Sequence, residues 1–405
     1  MRCLAFLLIY AGTVNSFPTE FPIDPELTLD FEGIAKRWNF YVESHEVTTD
    51  DGYILTVHRL PNKQFENENG PATSGSRPVV FVQHGLEGCS ASWILNLPNQ
   101  SLPFVFADAG YDVWLGNFRG NVYSKKHKTL DPKSHEFWKF SWDQMAGSDL
   151  PAMINYVTAQ TKVDQLYYVG FSMGTMTAFA EFSRNHELEK KIKQYFALGP
   201  VASVAHIQGL MKWMADRYEM IDIILLMTGE DEFLPPDKFT QWVAEDVCED
   251  KETYEGCDDL MTLISGKDSG QLNETRTPIY INHTPAGTSS RTMIHMAQNV
   301  KDQLFQMFDY DIPKENQKHY GQPKPPQYYV ENITVPVYLY WGFNDTLADP
   351  TDVQTYLIPR LKTIVSSKGY NGYSHVDFNW GLRATDEIYK PIASIIANDF
   401  KKPKD

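Results

Sequence analysis

The sequence predicts an α/β protein in which helices flank a mostly parallel central sheet, with a largely helical insertion between two parts of the core. A β-rich, partly alternating stretch lies at residues 53–60, and apolar runs typical of strands follow at 78–83, 111–115, 166–169, 195–198 and 335–340. Helix-like stretches at 144–161 and 173–185 lie between some of these runs, and such alternation is typical of a parallel sheet. The alternation stops between 201 and 327. We therefore expect a core formed by 17–200 and 328–405, with 201–327 inserted between its two parts.

The composition is that of a globular protein. The 405 residues are 42% hydrophobic and 22% charged, which supplies enough apolar chain for a large core and argues against disorder or a fibrous repeat. The 52 acidic and 36 basic residues give a formal net charge of −16. A surface so negative repels phosphate backbones, so we expect no nucleic-acid partner.

The first 16 residues have the pattern of a secretory signal peptide. Arg2 precedes an apolar run at 4–11, and the small residues Val14 and Ser16 fit cleavage after Ser16. The alternative is a buried N-terminal segment. The apolar run is far shorter than the roughly 20 residues that span a bilayer, so it does not predict a transmembrane helix. No other stretch is long and apolar enough for a transmembrane segment. We therefore expect the mature protein in the secretory pathway, in the lysosomal lumen or outside the cell.

The cysteines are consistent with that compartment. Cys3 lies in the signal peptide, and Cys248 and Cys257 flank an acidic loop. These two cysteines form either a disulfide bridge or two unpaired thiols. An oxidising lumen disfavours unpaired thiols. Cys89 is interpreted as a small buried thiol, because no base-and-acid pattern surrounds it.

The motif that carries chemistry is Gly170-Phe171-Ser172-Met173-Gly174, which matches Gly-x-Ser-x-Gly. Such a short pattern also arises by chance, so its context matters. It follows the strand pattern that ends at 169 and opens the helix pattern after it. This is the placement of a nucleophile elbow, a tight turn that projects a serine above the sheet. We therefore predict that Ser172 is a nucleophile.

A serine hydroxyl needs a base, and the base needs an acid to orient it. In elbow-containing folds the acid and then the histidine follow the serine in the chain. Asp345 comes just past the strand pattern at 335–340, and His375 lies in a glycine-rich loop before the last helix pattern. Asp349 and Asp377 are rival acids, and only the strand-end position favours Asp345.

An oxyanion hole requires two backbone N–H groups aimed at the developing negative charge. One is expected from Met173, the residue after the nucleophile. The other is expected from Leu86, because His84-Gly85-Leu86 follows an early strand, although a plain strand-end turn is the alternative.

Taken together, these segments resemble the acid lipase family, which includes gastric and lysosomal acid lipases and has the α/β-hydrolase fold. The resemblance covers nearly the whole mature chain and is carried by residues 46–55, 84–86, 112–121, 126–128, 137–145, 344–350 and 373–378. It implies a nucleophile at Ser172, an acid at Asp345 and a base at His375, with oxyanion amides at Leu86 and Met173. It also implies that 201–327 is a cap and lid with a disulfide between Cys248 and Cys257. The family usually has His and Gln where this chain has Phe171 and Met173.

Five Asn-x-Ser/Thr sequons occur in the chain. Asn344 adjoins Asp345, so we predict that it carries no glycan. The candidate glycosylation sites are Asn99, Asn273, Asn282 and Asn332.

The start of the insertion, 206–227, is rich in methionine and large apolar residues. Such residues suit a surface that accepts acyl chains and meets a lipid interface, and the alternative is a helix packed on the core. They are Ile207, Leu210, Met211, Trp213, Met214, Met220, Ile221, Ile223, Ile224, Leu225, Leu226 and Met227.

The sequence thus predicts a serine lipase that hydrolyses carboxylic esters of lipids, triacylglycerols or cholesteryl esters, at a lipid–water interface. No metal or cofactor is expected, since the chain has no His-Glu-x-x-His, Gly-x-Gly-x-x-Gly or phosphate-loop motif. The alternatives are an inactive lipid-binding protein of the same fold, and an esterase or peptidase acting on small substrates.

Overall fold

The computed structural model of the chain describes residues 24–61, 75–218, 231–233 and 269–401. A large sheet in this part of the chain contains nine strands in the order β1-β2-β4-β3-β6-β7-β10-β11, with β5 paired to β2. A second sheet contains only β8 and β9. The strands are β1 Glu43–Thr48, β2 Tyr53–Leu60, β3 Val79–Gln83, β4 Asp112–Leu115, β5 Lys126–His127, β6 Leu166–Phe171, β7 Ile192–Leu198, β8 Glu232–Phe233, β9 Thr288–Ser289, β10 Val337–Gly342 and β11 Ile364–Tyr370.

The large sheet is parallel from β4 to β11 and antiparallel at its β1 end. β3 pairs in parallel with both β4 and β6, and β6, β7, β10 and β11 continue in the same direction. β2 pairs antiparallel with β1, β4 and β5. The carboxyl ends of β3, β6, β7 and β10 therefore lie at one edge of the sheet, where active sites form in such folds.

Helices cover both faces of this sheet. The α-helices within the described residues are Phe31–Arg37, Leu102–Asp108, Trp142–Gln144, Leu150–Thr161, Met173–Phe182, His186–Glu189, Gly209–Asp216, Thr277–His283, Ser290–Asp302, Pro313–Tyr320, Pro350–Asp352, Ile358–Arg360, Asp377–Trp380 and Lys390–Phe400. π-helical turns occur at Met145–Asp149, Val353–Leu357 and Thr385–Tyr389. 3₁₀ turns occur at Pro25–Leu27, Ser90–Ile94, Pro98–Gln100, His135–Trp138, Glu274–Arg276 and Val330–Asn332.

Alternation along each buried strand creates two cores, one on each face of the sheet. In β6, Tyr168 contributes to the first core, whereas Tyr167 and Val169 contribute to the second. Helices Leu150–Thr161 and Met173–Phe182 pack on the first core, and Leu102–Asp108 and Lys390–Phe400 on the second. Near-continuous apolar strands such as Val79–Gln83 follow from this arrangement, because both of their faces are buried.

The predicted fold class is confirmed, as are the six strand patterns, with boundaries that differ by at most three residues. The pattern at 144–161 corresponds to helical turns from Trp142 to Thr161, with a π-helical turn between two α-helices. The sequence analysis missed β1, β5, β8, β9 and β11. β11 lies at the end of the strand order and is largely exposed, so it has no apolar run.

Between β7 and β10, the described residues are mainly helical. Helices Gly209–Asp216, Thr277–His283, Ser290–Asp302 and Pro313–Tyr320 lie there, together with the short β8–β9 pair. The predicted signal peptide, the predicted Cys248–Cys257 bridge and the apolar residues 220–227 fall outside the described ranges. Cys89 is buried and unbridged, as predicted. In the described ranges, no helix combines the length and hydropathy needed to cross a membrane.

Candidate active site

Ser172 lies in a tight turn between β6 and the helix Met173–Phe182. Its φ and ψ of 54° and −122° place a non-glycine residue in a region that side chains rarely adopt. The turn is held by Ser172 N–H, which donates to the Leu198 carbonyl of β7 at 3.0 Å. The strand–turn–helix context predicted around Ser172 is therefore present, with the strained backbone of an elbow.

The two motif glycines are required by close backbone contacts. A Cβ at Gly174 would lie 2.5 Å from the Gln83 carbonyl oxygen of β3, and one at Gly170 would lie 2.8 Å from the Gly174 carbonyl oxygen. Both distances are shorter than real Cβ contacts, and the obstacles are backbone atoms that cannot move away independently. Only glycine therefore lets the helix start this close to β3 and β6.

The three predicted triad side chains form one continuous chain of contacts. His375 Nε2 lies 2.7 Å from Ser172 Oγ, and His375 Nδ1 lies 2.9 Å from Asp345 Oδ2. Asp345 and His375 are buried, whereas Ser172 is partly accessible. A proton on Nδ1 would donate to Asp345 and leave Nε2 free to accept the Ser172 proton.

Asp345 accepts hydrogen bonds from the backbone as well as from His375. Its Oδ1 accepts backbone N–H groups of Leu347 and Ala348 at 2.9 and 2.8 Å, in addition to the His375 contact. Such hydrogen bonds stabilise the charged form of a carboxylate and fix its orientation. The imidazole therefore meets a rigid acceptor.

The rival acids have other partners. Asp349 accepts the Thr351 backbone N–H at 2.8 Å and the Gln208 side chain at 2.8 Å. Asp377 accepts the Ser374 backbone N–H at 2.6 Å, and burial raises its pKa. Of the three acids considered, the structure brings Asp345 to His375.

The predicted oxyanion residues line the same cavity as Ser172. Met173 is the first residue of its helix, so its N–H belongs to the turn whose donors have no intrahelical acceptor. Gly85 lies against the elbow, since a Cβ there would be 2.8 Å from Ser172 Cβ. The chain can therefore bring the Leu86 amide close to Ser172.

The cavity above Ser172 is mostly apolar. The core and the 201–327 segment both contribute to its wall, so a ligand there contacts both parts of the chain. Its apolar lining consists of Leu86, Phe171, Met173, Val201, Val204, Ile207, Met211, Met214, Phe233, Ile281, Met293, Met296, Leu347, Val376 and Trp380. Ile207, Met211 and Met214 were predicted as part of an acyl-binding surface, whereas sequence reasoning missed Phe233, Met293 and Met296.

The residues that depart from the family pattern have distinct surroundings. The Phe171 ring lies 4.9 Å from the His375 ring between centroids, so an apolar side chain packs on the imidazole. Met173 is buried in the first core, and the oxyanion role predicted for it requires only its backbone N–H.

Sequence reasoning also missed a polar anchor at the start of the 201–327 segment. The Ser203 hydroxyl donates to Asp352, and the backbone N–H of His206 donates to the other oxygen of Asp352, each at 2.9 Å. Gln208 donates to Asp349 at 2.8 Å. The segment is therefore tied to the loop that follows Asp345, and no motif indicates this because the partners lie about 140 positions apart.

A second missed residue is Glu87, which follows Leu86. Its backbone adopts φ 54°, its carbonyl accepts the Ala286 N–H at 2.8 Å, and its Oε2 accepts the Gly287 N–H at 2.9 Å. Burial raises the pKa of Glu87 to about 8. Glu87 therefore accepts hydrogen bonds from residues 286 and 287, one with its backbone carbonyl and one with a carboxyl group that is neutral in acidic solution.

Comparison with known families identifies the class. The family model described as "alpha/beta hydrolase fold" matches residues 78–379, and the model described as "Partial alpha/beta-hydrolase lipase region" matches residues 31–97. The sheet order, the turn at Ser172 and these matches together define the chain as an α/β hydrolase.

Individual relatives narrow the class to a family. The chain is 48% identical over 381 residues to lipase lipl-1 of Caenorhabditis elegans, covering 93% of each chain. It is 41% identical to human gastric triacylglycerol lipase, covering 98% of each chain, and 42% identical to human lysosomal acid lipase/cholesteryl ester hydrolase, covering 92% of each. The chain belongs to the acid lipase family of α/β hydrolases, which confirms the resemblance stated from its motifs.

Solved structures support the fold. A soluble variant of monoglyceride lipase from Saccharomyces cerevisiae, in complex with a substrate analog, superimposes with a TM-score of 0.55. The match covers 96% of this chain and 99% of that one, at 13% sequence identity. At this identity the likeness concerns the fold alone.

Proposed function

We propose that this protein is a serine lipase that hydrolyses carboxylic esters of lipids through an acyl-enzyme on Ser172. The observation that carries the proposal is the contact chain Asp345–His375–Ser172, with distances of 2.9 and 2.7 Å, at the floor of an apolar cavity. An apolar wall suits an acyl chain, and a serine in contact with a histidine that an aspartate orients suits acyl transfer. The names of the family relatives, all lipases, agree with this activity.

The geometry supports the following sequence of steps. Ser172 Oγ attacks the ester carbonyl while His375 Nε2 takes its proton, and Asp345 stabilises the resulting imidazolium. The N–H groups of Leu86 and Met173 stabilise the oxyanion of the tetrahedral intermediate. His375 then donates its proton to the leaving alcohol, and a water molecule activated by the same imidazole releases the fatty acid.

Fluorophosphonate labelling tests the nucleophile. The wild-type protein is expected to be labelled at Ser172, and Ser172→Ala is expected to lose both labelling and ester turnover. Ser394→Ala is a matched control, because Ser394 is exposed on the last helix and donates only to the Lys390 carbonyl. Labelling that persists in Ser172→Ala, or near-normal turnover in His375→Ala, would refute the assignment.

We also propose that residues 201–327 form a cap whose apolar side chains bind the acyl chain. The cavity wall supports this, because nine apolar residues from 201 to 296 face the space above Ser172. A chain-length series of p-nitrophenyl esters separates this proposal from a short-chain esterase. Turnover should rise from acetate to palmitate, and a maximum at acetate would favour the esterase.

An inactive lipid carrier, the alternative considered from the sequence, would have a pocket with the same lining. Ordered contacts among Ser172, His375 and Asp345 favour an enzyme, because a carrier has no use for them. The names of the two human relatives state triacylglycerol in one case and cholesteryl ester in the other. Assays with both substrates at pH 4.5 and 7 therefore decide the preferred ester.

The remaining sequence predictions become proposals about processing. We place the mature protein in the secretory pathway, either in the lysosomal lumen or outside the cell, with a Cys248–Cys257 disulfide. Non-reducing peptide mapping tests the bridge. Asn99, Asn282 and Asn332 are exposed and Asn273 is half-buried, so glycan mapping at these sites and at Asn344 tests the sequon predictions.

A further inference from the structure

His84 is a buried histidine outside the proposed triad, and its hydrogen bonds define its tautomer. The side chain is 3% exposed. Its Nε2 lies 3.1 Å from the backbone N of Phe118, and its Nδ1 lies 2.8 Å from the Gly85 carbonyl oxygen. A backbone N–H can only donate, so Nε2 is the acceptor and the ring proton is on Nδ1. His84 therefore donates to the Gly85 carbonyl.

Two further features agree with this tautomer. Burial lowers the pKa of His84 to about 4, so the ring is neutral at pH 5 and above. The Asn121 side-chain nitrogen lies 3.2 Å from Nε2 and is a second donor to the same atom. The ring is also fixed by an edge-on contact with Phe118, at 5.2 Å between centroids.

The Gly85 carbonyl and the Leu86 N–H belong to one peptide unit. Because a trans peptide is planar, its C=O and N–H point in opposite directions, and holding one orients the other. Gly85 has no side chain, so the peptide that follows it has more rotational freedom than elsewhere. The carbonyl is held by two donors, His84 Nδ1 and the Gly88 N–H at 3.2 Å.

We propose that His84 is a positioning residue, which holds the Gly85–Leu86 peptide so that the Leu86 N–H faces the oxyanion formed above Ser172. The inference deepens the proposed function and rests on it. The hydrogen bonds of His84 go to Gly85, Phe118 and Asn121, so His84 acts on the oxyanion through one peptide bond. The oriented Leu86 N–H stabilises the ester carbonyl oxygen of the substrate once that oxygen becomes charged. His84 therefore raises kcat and leaves substrate binding unchanged.

Two isosteric variants separate this role from simple packing. In His84→Asn the amide nitrogen takes the place of Nδ1 and can still donate to Gly85. In His84→Gln the amide takes the place of Nε2, and the donor to Gly85 is lost. Removing an oxyanion donor costs about 10²–10³ in kcat. We therefore expect kcat to fall about tenfold or more in His84→Gln at constant KM, and to fall at most about threefold in His84→Asn.

The Ki values of two matched inhibitors distinguish the proposed role from a packing role. A long-chain trifluoromethyl ketone forms a charged tetrahedral adduct with the serine, whereas the matching alkyl ether binds the cavity without reacting. The Ki of the ketone should rise in His84→Gln by the same factor as kcat falls, and the Ki of the ether should stay constant. Equal losses in the Asn and Gln variants, or an unchanged ketone Ki, would overturn the inference.

A measurement on the wild-type protein covers the case in which both variants fail to fold. ¹⁵N NMR of labelled histidine distinguishes the tautomers, and we expect the proton of His84 on Nδ1. A proton on Nε2 would overturn the inference. A wild-type protein that hydrolyses no ester and takes no fluorophosphonate label would refute the proposed function itself, and this inference with it. An active, labelled wild type with a fully active His84→Gln variant would refute the role of His84 alone.

Discussion

Replacing Glu87 by Gln should change how the stability of this protein depends on pH. Glu87 Oε2 accepts the Gly287 N–H at 2.9 Å, and among the described residues nothing hydrogen-bonds its other, buried oxygen. Burial is the main cause of the raised pKa, and the negative charge of Glu232 adds to it, whereas Lys125 opposes it. The folded protein therefore favours the neutral carboxyl group.

The sign and size of the effect follow from linkage. The pKa of Glu87 is raised from 4.5 to about 8 on folding, so between these values the folded state holds a proton that the unfolded state has lost. The free energy of unfolding therefore falls as pH rises through this window and is constant above it. At 1.36 kcal/mol per pH unit the loss is on the order of 5 kcal/mol, an upper figure because water entering the cavity reduces it.

Glutamine has the shape of the neutral acid and can accept the same Gly287 N–H, but it has no proton to lose. Thermal unfolding of both proteins from pH 4.5 to 8 measures the difference. We expect equal Tm values at pH 4.5 and a Tm for Glu87→Gln that is higher by up to roughly 6 °C at pH 8, at an unfolding entropy of about 2.1 cal/mol/K per residue. Glu187→Gln, at an exposed site, should follow the wild type. Parallel curves for Glu87→Gln and the wild type would refute the reasoning.

Three other predictions concern the site and its supports. Asp345→Asn should lower kcat by about 10³–10⁴ because the imidazole loses its tautomer control, whereas Asp349→Asn should lower it less than about tenfold; steady-state kinetics decide. Gly174→Ala should lower both Tm and kcat, since the new Cβ would lie 2.5 Å from the Gln83 carbonyl oxygen, and an unchanged variant would contradict the elbow geometry. The hydrogen bond to Asp352 raises the pKa of His206, so His206→Ala should lower Tm at pH 5 and not at pH 9. Because the imidazole is exposed, although Asp352 is buried, we expect about 1 kcal/mol or less, and equal effects at both pH values would contradict the prediction.

Much of this architecture could be predicted from local pattern. The strands β3, β6, β7 and β10 are apolar on both faces, so their sequences are continuous apolar runs. β11 could not be found in this way, because its sequence Ile364–Tyr370 is polar and exposed at the end of the sheet. Strand prediction therefore succeeded for strands with mostly buried side chains, including the alternating β2, and failed for the largely exposed β11.

Some residues of the candidate site could likewise be predicted from local sequence, and others could not. Ser172 could be predicted because the elbow is local, with its glycines and its strand and helix all adjacent in the chain. The choice among Asp345, Asp349 and Asp377 could not be made securely, because it depends on which carboxylate His375 reaches. The distance from His375 to each carboxylate depends on how the loops after β10 and β11 pack against each other.

The sequence by itself determined the α/β class, the family, the position of the elbow and the order of serine, acid and histidine. The tertiary structure decided which acid meets His375, which side chains form the wall of the cavity, and that the half-buried Glu87 accepts the Gly287 N–H. The physical reason is that pKa values, hydrogen-bond partners and burial depend on neighbours in space. Glu87 and Gly287 lie 200 positions apart, and His375 and Ser172 lie 203 apart, so no local pattern contains either contact.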